Sequence, residues 1–304
     1  MRQSQSKVLI ILLTVVILLM ASTMAILLLK DEKETTTESS KEPIQNEGRV
    51  FEKNDEPTYD KFELGLEMVR IPEQTFTMGN YDGNPEGTED ELPYHDVRVN
   101  TYFISKYEIT QKQYEKVMGT SPSFFKGENM PVTNIDWNDA IKFCNALSTK
   151  EGLTPCYEID FDAEGKIVNV RWNKSANGYR LPTEAEHECA AQFEFRGQPL
   201  DATRFGWFFS NGDRKIHNVG QKEPNVYSLY DIIGNVWEWC WDIYGPFENS
   251  VQENPTGQQF GEKRVSKGGS YTTENSLVRA SDRGNGKPTL KGKDLGVRLV
   301  RNSL

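Results

Sequence analysis

The sequence is poor in the residues that build most metal-dependent active sites, with only three histidines in 304 residues. His95, His187 and His217 are far apart. They therefore form neither an H-E-x-x-H motif nor the spacing of a two-histidine, one-carboxylate iron site. We expect His95 to be a hydrogen-bonded strand residue and His187 to lie on a helix surface. A G-x-S-x-G nucleophile elbow and a phosphate-binding loop are also missing from the sequence.

Cysteine is scarce too, and the four present do not follow a zinc-binding spacing. Outside the cytoplasm, Cys144, Cys156, Cys189 and Cys240 could form up to two disulfides. Cys144 and Cys189 fall on apolar helix faces, so buried free thiols are an equal alternative. The sequence assigns no pairing. No cysteine follows Cys240, so the C-terminal part of the chain carries no thiol.

Basic charge is outweighed by acidic charge. The chain has 35 Lys and Arg against 45 Asp and Glu, for a net charge of -10. No stripe of basic residues with interleaved aromatics is present, and such a stripe is the usual footprint of nucleic-acid binding. We therefore expect no nucleic-acid partner, and an anionic polymer is disfavoured for the same reason.

One long apolar run stands near the N-terminus. Residues Val8–Leu29 carry no charge and could span the roughly 30 Å hydrocarbon core of a bilayer as a helix. Arg2 and Lys7 precede this run, which favours an N-terminus inside. We predict a single-pass anchor within residues 1–30, with the rest of the chain periplasmic or on the cell surface. A cleaved signal peptide is the alternative, although its apolar region is usually shorter.

The segment after the anchor, residues 31–60, is polar, charged and almost free of large apolar residues. Such a segment cannot bury enough surface to offset its ordering entropy, so we predict a flexible tether. Residues 61–304 follow as one predicted domain, because neither a second boundary nor an internal repeat is visible.

Helix and strand signals are concentrated in the first half of this domain. Thr110, Asp136 and Thr183 each begin a helix-capping pattern. After Ala191, glycine, proline, asparagine and aromatics dominate, which predicts long ordered loops. Alternating apolar residues predict strands at residues 67–71, 75–79, 96–104, 167–172, 236–242 and 264–270.

Six distinctive runs occur in order along the domain. These runs are Met68–Pro72 with Phe76–Gly79, Tyr107–Tyr114, Tyr179–Glu186, Gly234–Trp239, Arg264–Tyr271 and Leu295–Leu299. Together they closely resemble the formylglycine-generating enzyme family, also called the sulfatase-modifying-factor domain, over residues 64–301. The resemblance implies an α+β fold of C-type-lectin-like character, rich in loops and with a mixed sheet.

The resemblance also implies a reaction centre. Active members of the family bind copper(I) through two cysteines spaced C-x4-C, just after the Gly-Gly-Ser-aromatic run, and oxidise a substrate cysteine to formylglycine. Soft thiolates suit copper(I). The corresponding positions here are Thr273 and Val278, and neither side chain can replace a thiolate. We therefore expect no copper and no catalytic residue at these positions.

A calcium site is a further implication of the resemblance. Calcium-binding relatives hold one ion at the G-N-x-W-E turn. Its ligands here would be Asp231, Gly234, Val236 and Glu238, the middle two through backbone carbonyls. Such oxygen ligands suit a hard cation with a structural role. The alternative is that Glu238 accepts hydrogen bonds from the amides of the turn.

Functions of two classes remain open. The first is a non-catalytic binding or scaffold module for a peptide, protein or glycan, and it is the one we favour. Aromatic and arginine side chains are effective contact residues. The second is an active family oxidase that uses residues not recognised in the sequence, and a subunit of an envelope assembly is a weaker third. The predicted ligand groove consists of Tyr244, Tyr271, Thr273, Arg279 and Arg283.

Overall fold

The computed structural model describes most of the predicted domain, namely residues 60–61, 64–80, 83, 85, 87–192 and 201–303. The predicted anchor, residues 8–29, and the predicted tether up to residue 59 lie outside this part. Among the described residues, none of the helices combines the length and apolar character needed to cross a bilayer.

The described chain contains three α-helices, and each begins at a predicted cap. The hydroxyl of Thr110 accepts the N–H of Gln113 at 3.2 Å, and Asp136 and Thr183 make the same bond to the residue three positions ahead. These bonds satisfy N–H groups that the first turn of a helix leaves free. The helices are α1 (Gln111–Met118), α2 (Trp137–Lys150) and α3 (Glu184–Ala190).

Fourteen short strands occur in the described ranges. They are β1 (Asp60–Lys61), β2 (Glu67–Ile71), β3 (Gln74–Met78), β4 (His95–Val99), β5 (Tyr102–Ser105), β6 (Tyr157–Phe161), β7 (Ile167–Trp172), β8 (Tyr179–Arg180), β9 (Trp237–Ile243), β10 (Gln252–Glu253), β11 (Arg264–Lys267), β12 (Gly284–Gly286), β13 (Leu295–Gly296) and β14 (Val300–Asn302).

These strands form four small sheets, with orders β1-β2-β5-β14-β8, β10-β4-β3, β12-β11-β9-β13 and β6-β7. Most neighbours are antiparallel, but β10 is parallel to β4 and β13 is parallel to β9. The sheets are therefore mixed, as predicted. The near-C-terminal strand β14 lies between β5 and β8 and so joins β8 to the rest of the largest sheet.

The strand predicted over residues 96–104 is two strands instead of one. At Asn100 the backbone N–H donates to the side chain of Asn254 at 2.8 Å, which takes this amide out of a continuous ladder. The strands on either side join different sheets: β4 pairs with β3, and β5 pairs with β2. Alternation in the sequence continued across the turn, so it could not reveal the break.

Two hydrophobic clusters form most of the core. Helix α2 contributes Ile141 and Leu147 to the first, and helix α3 contributes Ala185 to the second, where it packs beneath β2 to β5. All four cysteines are buried and none is disulfide-bonded. Of the two alternatives that the sequence left open for cysteine, the structure contains free thiols.

Candidate functional site

A tight turn directly after β11 contains Thr273, the first of the two family cysteine positions. Gly268 and Gly269 have φ values of 95° and 74°, in the region that favours glycine. The chain then reverses, because the N–H of Ser270 donates to Thr273 Oγ1 at 3.0 Å and the N–H of Thr273 donates to Ser270 O at 2.9 Å. The hydroxyl of Thr273 thus closes its own turn.

The second position, Val278, packs inward. Its side chain is partly buried against a small apolar cluster of Ala202, Phe208 and Ile233. The same loop approaches the turn itself, since the N–H of Phe209 donates to Thr273 O at 3.0 Å. Both positions are therefore occupied by side chains with structural contacts.

Tyr271, predicted to line the groove, is a core residue. Only 2% of it is exposed, and it packs against Ile216 and Val236. Its ring meets that of Phe125 edge-on at 6.1 Å. Its hydroxyl has no hydrogen-bond partner in the described part of the chain. Neighbouring loops cover the ring of Tyr271 in this structure, and its contact with a ligand stays a prediction.

The remaining predicted groove residues, Tyr244, Arg279 and Arg283, meet at another place. Arg283 donates to both carboxylate oxygens of Glu184, at 2.6 and 2.9 Å, and its guanidinium lies 4.7 Å from the ring centre of Tyr244. The hydroxyl of Tyr244 in turn donates to Asp90 at 2.7 Å. The five residues predicted to form one groove thus belong to two separate clusters.

Arg279 joins the same cluster through Glu91. Its Nε lies 2.8 Å from a carboxylate oxygen of Glu91, and Glu91 is fully buried. Burial alone would raise the pKa of Glu91, but hydrogen bonds from Arg279 and Ser281 outweigh it and hold the pKa at about 2. Arg279 is therefore already paired with a buried carboxylate. A ligand that binds Arg279 would have to replace Glu91 as its partner.

The predicted calcium ligands lie just before and within β9. Both carboxylate oxygens of Glu238 already accept hydrogen bonds from Arg298, at 2.9 and 3.0 Å. His187 Nε2 also lies 2.9 Å from Glu238. His187 is fully buried, so its predicted place on a helix surface is wrong. The helix face that carries it packs against β9, which the sequence pattern did not indicate.

Asp231, the other predicted carboxylate ligand, accepts the N–H of Gly220 at 2.7 Å, and burial raises its pKa to about 6. Its second oxygen has no partner in the described chain. Across the described ranges, no three or more His, Cys, Asp or Glu side chains are grouped to hold a metal. Calcium would have to displace Arg298 from Glu238, so the donor set does not fit the ion as it stands. Calcium binding itself stays a prediction.

The comparisons with known proteins decide the family. Residues 54–303 match the family described as the sulfatase-modifying factor enzyme 1-like domain. The chain belongs to this family. A relative from Paenibacillus barcinonensis, chaperone protein LppX, is 37% identical over 239 residues, which are 68% of this chain and 82% of that protein.

Two further relatives show how widely the sulfatase-modifying-factor family varies in name. The formylglycine-generating enzyme of Bos taurus is 28% identical over 286 residues, which cover 78% of this chain and 75% of that enzyme. The solved structure of Treponema denticola variable protein 1 is 31% identical, with a TM-score of 0.72, and covers 82% of this chain and all of that one. Family membership therefore establishes the mixed α+β fold and leaves the activity open.

The donor chemistry at the family's reaction centre does not fit copper(I). Thr273 offers a hydroxyl that is already bonded within its turn, and Val278 offers no donor atom. Copper(I) prefers soft thiolate or thioether ligands. The four cysteines lie elsewhere in the chain, in α2, before β6, in α3 and in β9. No step of a reaction can therefore be derived through copper for this chain.

Large apolar side chains are exposed in the loops that adjoin the reaction-centre position. Phe124, Phe209 and Leu277 are 71%, 43% and 37% exposed. Phe124 stacks edge-on against Phe125, which contacts Tyr271, while Phe209 and Leu277 flank the Thr273 turn. We call these three exposed residues the apolar rim. Sequence analysis missed them because an exposed aromatic in a loop has no periodic signature.

Sequence analysis also missed the buried charges that join helix α3 to the sheet. Lys267 Nζ lies 3.0 Å from Glu188, and both are buried. Arg298 stands in the otherwise apolar or glycine run Leu295–Leu299, and Lys267 stands among small and apolar residues in the run Val265–Ser270. A charged residue at an inward position of such a run is a signal for a buried pair, since isolated charges are rarely buried.

Proposed function

We propose that this chain is a membrane-anchored, extracytoplasmic binding module of the sulfatase-modifying-factor family that has given up copper-dependent formylglycine formation. One observation carries the proposal: the two family cysteine positions hold a hydroxyl that closes a turn and an isopropyl group that packs into a small apolar cluster. A site with these side chains has nothing with which to bind copper(I).

The apolar rim supports a polypeptide as the ligand. Exposed aromatic side chains bind partners effectively because they supply a large contact area with few rotatable bonds. The rim residues lie in three loops that are linked through Phe125, Tyr271 and the Thr273 turn, so we infer that one partner could contact more than one of them. The name chaperone protein, carried by the Paenibacillus relative, agrees with a polypeptide ligand.

The proposed anchor would locate the binding domain at the outer face of the membrane. Residues 8–29 form an uncharged apolar run, and the polar residues 31–60 that follow would let the domain reach ligands near the membrane. Arg2 and Lys7 support an orientation with the domain outside the cytoplasm. Alkaline extraction of membranes and protease treatment of spheroplasts test this part, and a domain that stays shielded from protease in intact spheroplasts would contradict it.

Copper content and peptide oxidation test the loss of catalysis. The purified full-length chain is incubated with copper(I), oxygen and a cysteine-containing peptide, and peptide aldehyde is measured by mass spectrometry. We expect neither stoichiometric copper nor aldehyde. The double variant Thr273→Cys with Val278→Cys is expected to bind copper without turning over, because the surrounding loops remain closed. Aldehyde formed by the unaltered chain would refute the proposal and favour the alternative family oxidase.

Peptide and glycan arrays test the ligand class. We expect the full-length chain to retain peptides with apolar side chains, and Phe209→Ser to reduce this retention. Phe161→Ser is the matched control, because Phe161 is also an exposed aromatic, 53% exposed, but lies in the β6-β7 hairpin. Equal loss in both variants would contradict a role for the rim, and binding to glycans alone would replace the polypeptide ligand.

A further inference from the structure

A pocket outside the reaction-centre turn contains polar groups that the function proposed above does not use. It has a cavity volume of about 60 Å³ and opens between the start of α3, the end of β9 and the loop after β9. One water molecule needs only about 10–15 Å³ of such a cavity, so this one has room for a small polar group at the end of a longer ligand. The lining residues that matter here are His95, Glu184, Asp242, Phe247, Glu248 and Arg283.

Asp242 is the unusual group in this lining. Only 2% of it is exposed. Its Oδ2 accepts the backbone N–H of Glu184 at 2.9 Å, whereas Oδ1 has no hydrogen-bond partner among the described residues. Oδ1 is not among the fully buried atoms that lack a partner, so it keeps accessible surface from which it can accept a hydrogen bond. Because Asp242 lines the pocket, that donor can come from a ligand.

His95 provides a second acceptor in the same pocket. It is 7% exposed, and its Nδ1 lies 3.1 Å from the carbonyl oxygen of Pro93. A carbonyl oxygen only accepts, so Nδ1 carries the proton and Nε2 of the neutral ring presents a lone pair. Nε2 has no partner among the described residues. Phe247 packs edge-on against the ring at 5.1 Å and holds it in place.

Arg283 does not turn the pocket into an anion site. Glu184 neutralises its charge through two hydrogen bonds, and Nη1 donates to the carbonyls of Asp90 and Gly245. Glu248, together with Asp242 once it is ionised, then gives the lining an excess of negative charge. An anionic ligand would meet this charge without a free guanidinium to bind it.

We propose that this pocket binds a primary ammonium group, with Asp242 as the counter-ion and His95 Nε2 as a second acceptor. An ammonium carries three N–H donors and one positive charge, which match two acceptors and a buried carboxylate. The group can come from a lysine side chain of a protein or from an amino sugar, and the two sources share this chemistry. The inference does not depend on the polypeptide ligand proposed for the apolar rim.

The electrostatics of the empty pocket agree with this assignment. Burial, and then the neighbouring charge of Glu184, raise the pKa of Asp242 well above its usual value, with a smaller contribution from Glu186, while Arg264 and the N–H of Glu184 act in the opposite direction. An arriving ammonium acts in the opposite direction, because its positive charge lowers the pKa of Asp242 and favours the ionised carboxylate. Binding should therefore tighten as the pH rises and Asp242 loses its proton.

Calorimetric titration of the full-length chain tests the proposal with three probes. Nα-acetyl-lysine amide and glucosamine carry the ammonium, and Nα-acetyl-norleucine amide is the neutral match of the lysine probe. We expect at least one amine to bind at millimolar concentration or below, with proton release, while the norleucine probe does not bind. Binding of norleucine amide as strong as that of lysine amide, or no binding of either amine, would overturn the proposal.

Two variants and a matched control locate the site. Asp242→Asn keeps an acceptor for the N–H of Glu184 but removes the charge, so we expect amine binding to weaken about 10- to 100-fold. His95→Phe keeps the ring and removes Nε2, and a smaller loss is expected. Asp231→Asn is the control, because Asp231 is equally buried and also accepts one backbone N–H, but lies outside the lining.

Circular dichroism of each variant verifies that it folds, so that His95→Phe still tests the pocket if Asp242→Asn is unstable. Amine binding that survives in both pocket variants, or that falls equally in Asp231→Asn, would show that the amine binds elsewhere and refute the assignment.

Discussion

Replacement of Arg298 by methionine tests whether the buried ion pair between Arg298 and Glu238 stabilises this fold. Arg298 is fully buried and donates three hydrogen bonds to Glu238, at 2.9 to 3.1 Å. It also donates to the backbone carbonyls of Ser105 and Tyr230, at 2.7 and 2.8 Å. One guanidinium thus joins β9, the end of β5 and the loop before β9.

The expected loss in the free energy of unfolding depends on the buried charge that remains after the substitution. Methionine fills much of the space, but Glu238 keeps a buried charge with His187 as its remaining side-chain partner. Loss of one partner of a buried ion pair typically costs about 3–5 kcal/mol of the free energy of unfolding. For a domain of this size, we expect the melting temperature to fall by roughly 6–20 °C.

Urea titration of the full-length chain at pH 7, followed by tryptophan fluorescence, measures this loss. Arg171→Met is the control, because Arg171 pairs with Glu158 and Asp160 on the surface and its side chain is 53% exposed. We expect this control to leave the unfolding curve nearly unchanged, since water and salt screen exposed pairs.

The double variant Arg298→Met with Glu238→Gln distinguishes charge from packing. When the carboxylate is neutral, the missing guanidinium matters less, so the double variant should lose less stability than the sum of the two single variants. A loss below about 1 kcal/mol for Arg298→Met, or strict additivity in the double variant, would refute the reasoning from buried charge.

The remaining predictions concern Asp231 and Gly269. Burial raises the pKa of Asp231 from 3.8 to about 6, so the stability it contributes below pH 4 is lost as the pH rises through 6. Asp231→Asn should remove a decline of about 3 kcal/mol, measured by urea titration from pH 4 to 7; parallel curves for the two proteins would contradict this. Gly269→Val should lower the melting temperature. A residue with a side chain at φ 74° is strained by about 1–3 kcal/mol, and its Cβ would lie 3.3 Å from Thr273 Oγ1. Unchanged melting of Gly269→Val would count against the turn.

Short-range features of this protein could be predicted from the sequence. The caps at Thr110, Asp136 and Thr183 bond to residues only three positions away, so the local pattern contains both partners. Strand β2 was predicted with the same bounds as observed, and β7 likewise. The strand at residues 96–104 failed because the turn at Asn100 depends on Asn254, which is distant in the sequence.

The candidate site was less predictable. Tyrosine is a residue type that often contacts ligands, but the loops that carry Phe125 and Ile216 bury Tyr271. Arg279 and Arg283 have ionic partners at Glu91 and Glu184, which lie 188 and 99 residues away. Side-chain type indicates what a residue can bind, and only the chain topology decides whether a protein group already occupies it.

The sequence by itself determined the family, through six runs in order, and the replacement of the family's thiol pair by Thr273 and Val278. Both are properties of residue identity, which no arrangement of the chain can alter. Tertiary structure alone decided that Arg298 neutralises Glu238, that the predicted groove separates into two clusters, and that Asp242 and His95 face one pocket. These are contacts between residues remote in sequence, and they exist only because the folded sheets bring distant loops to the same place.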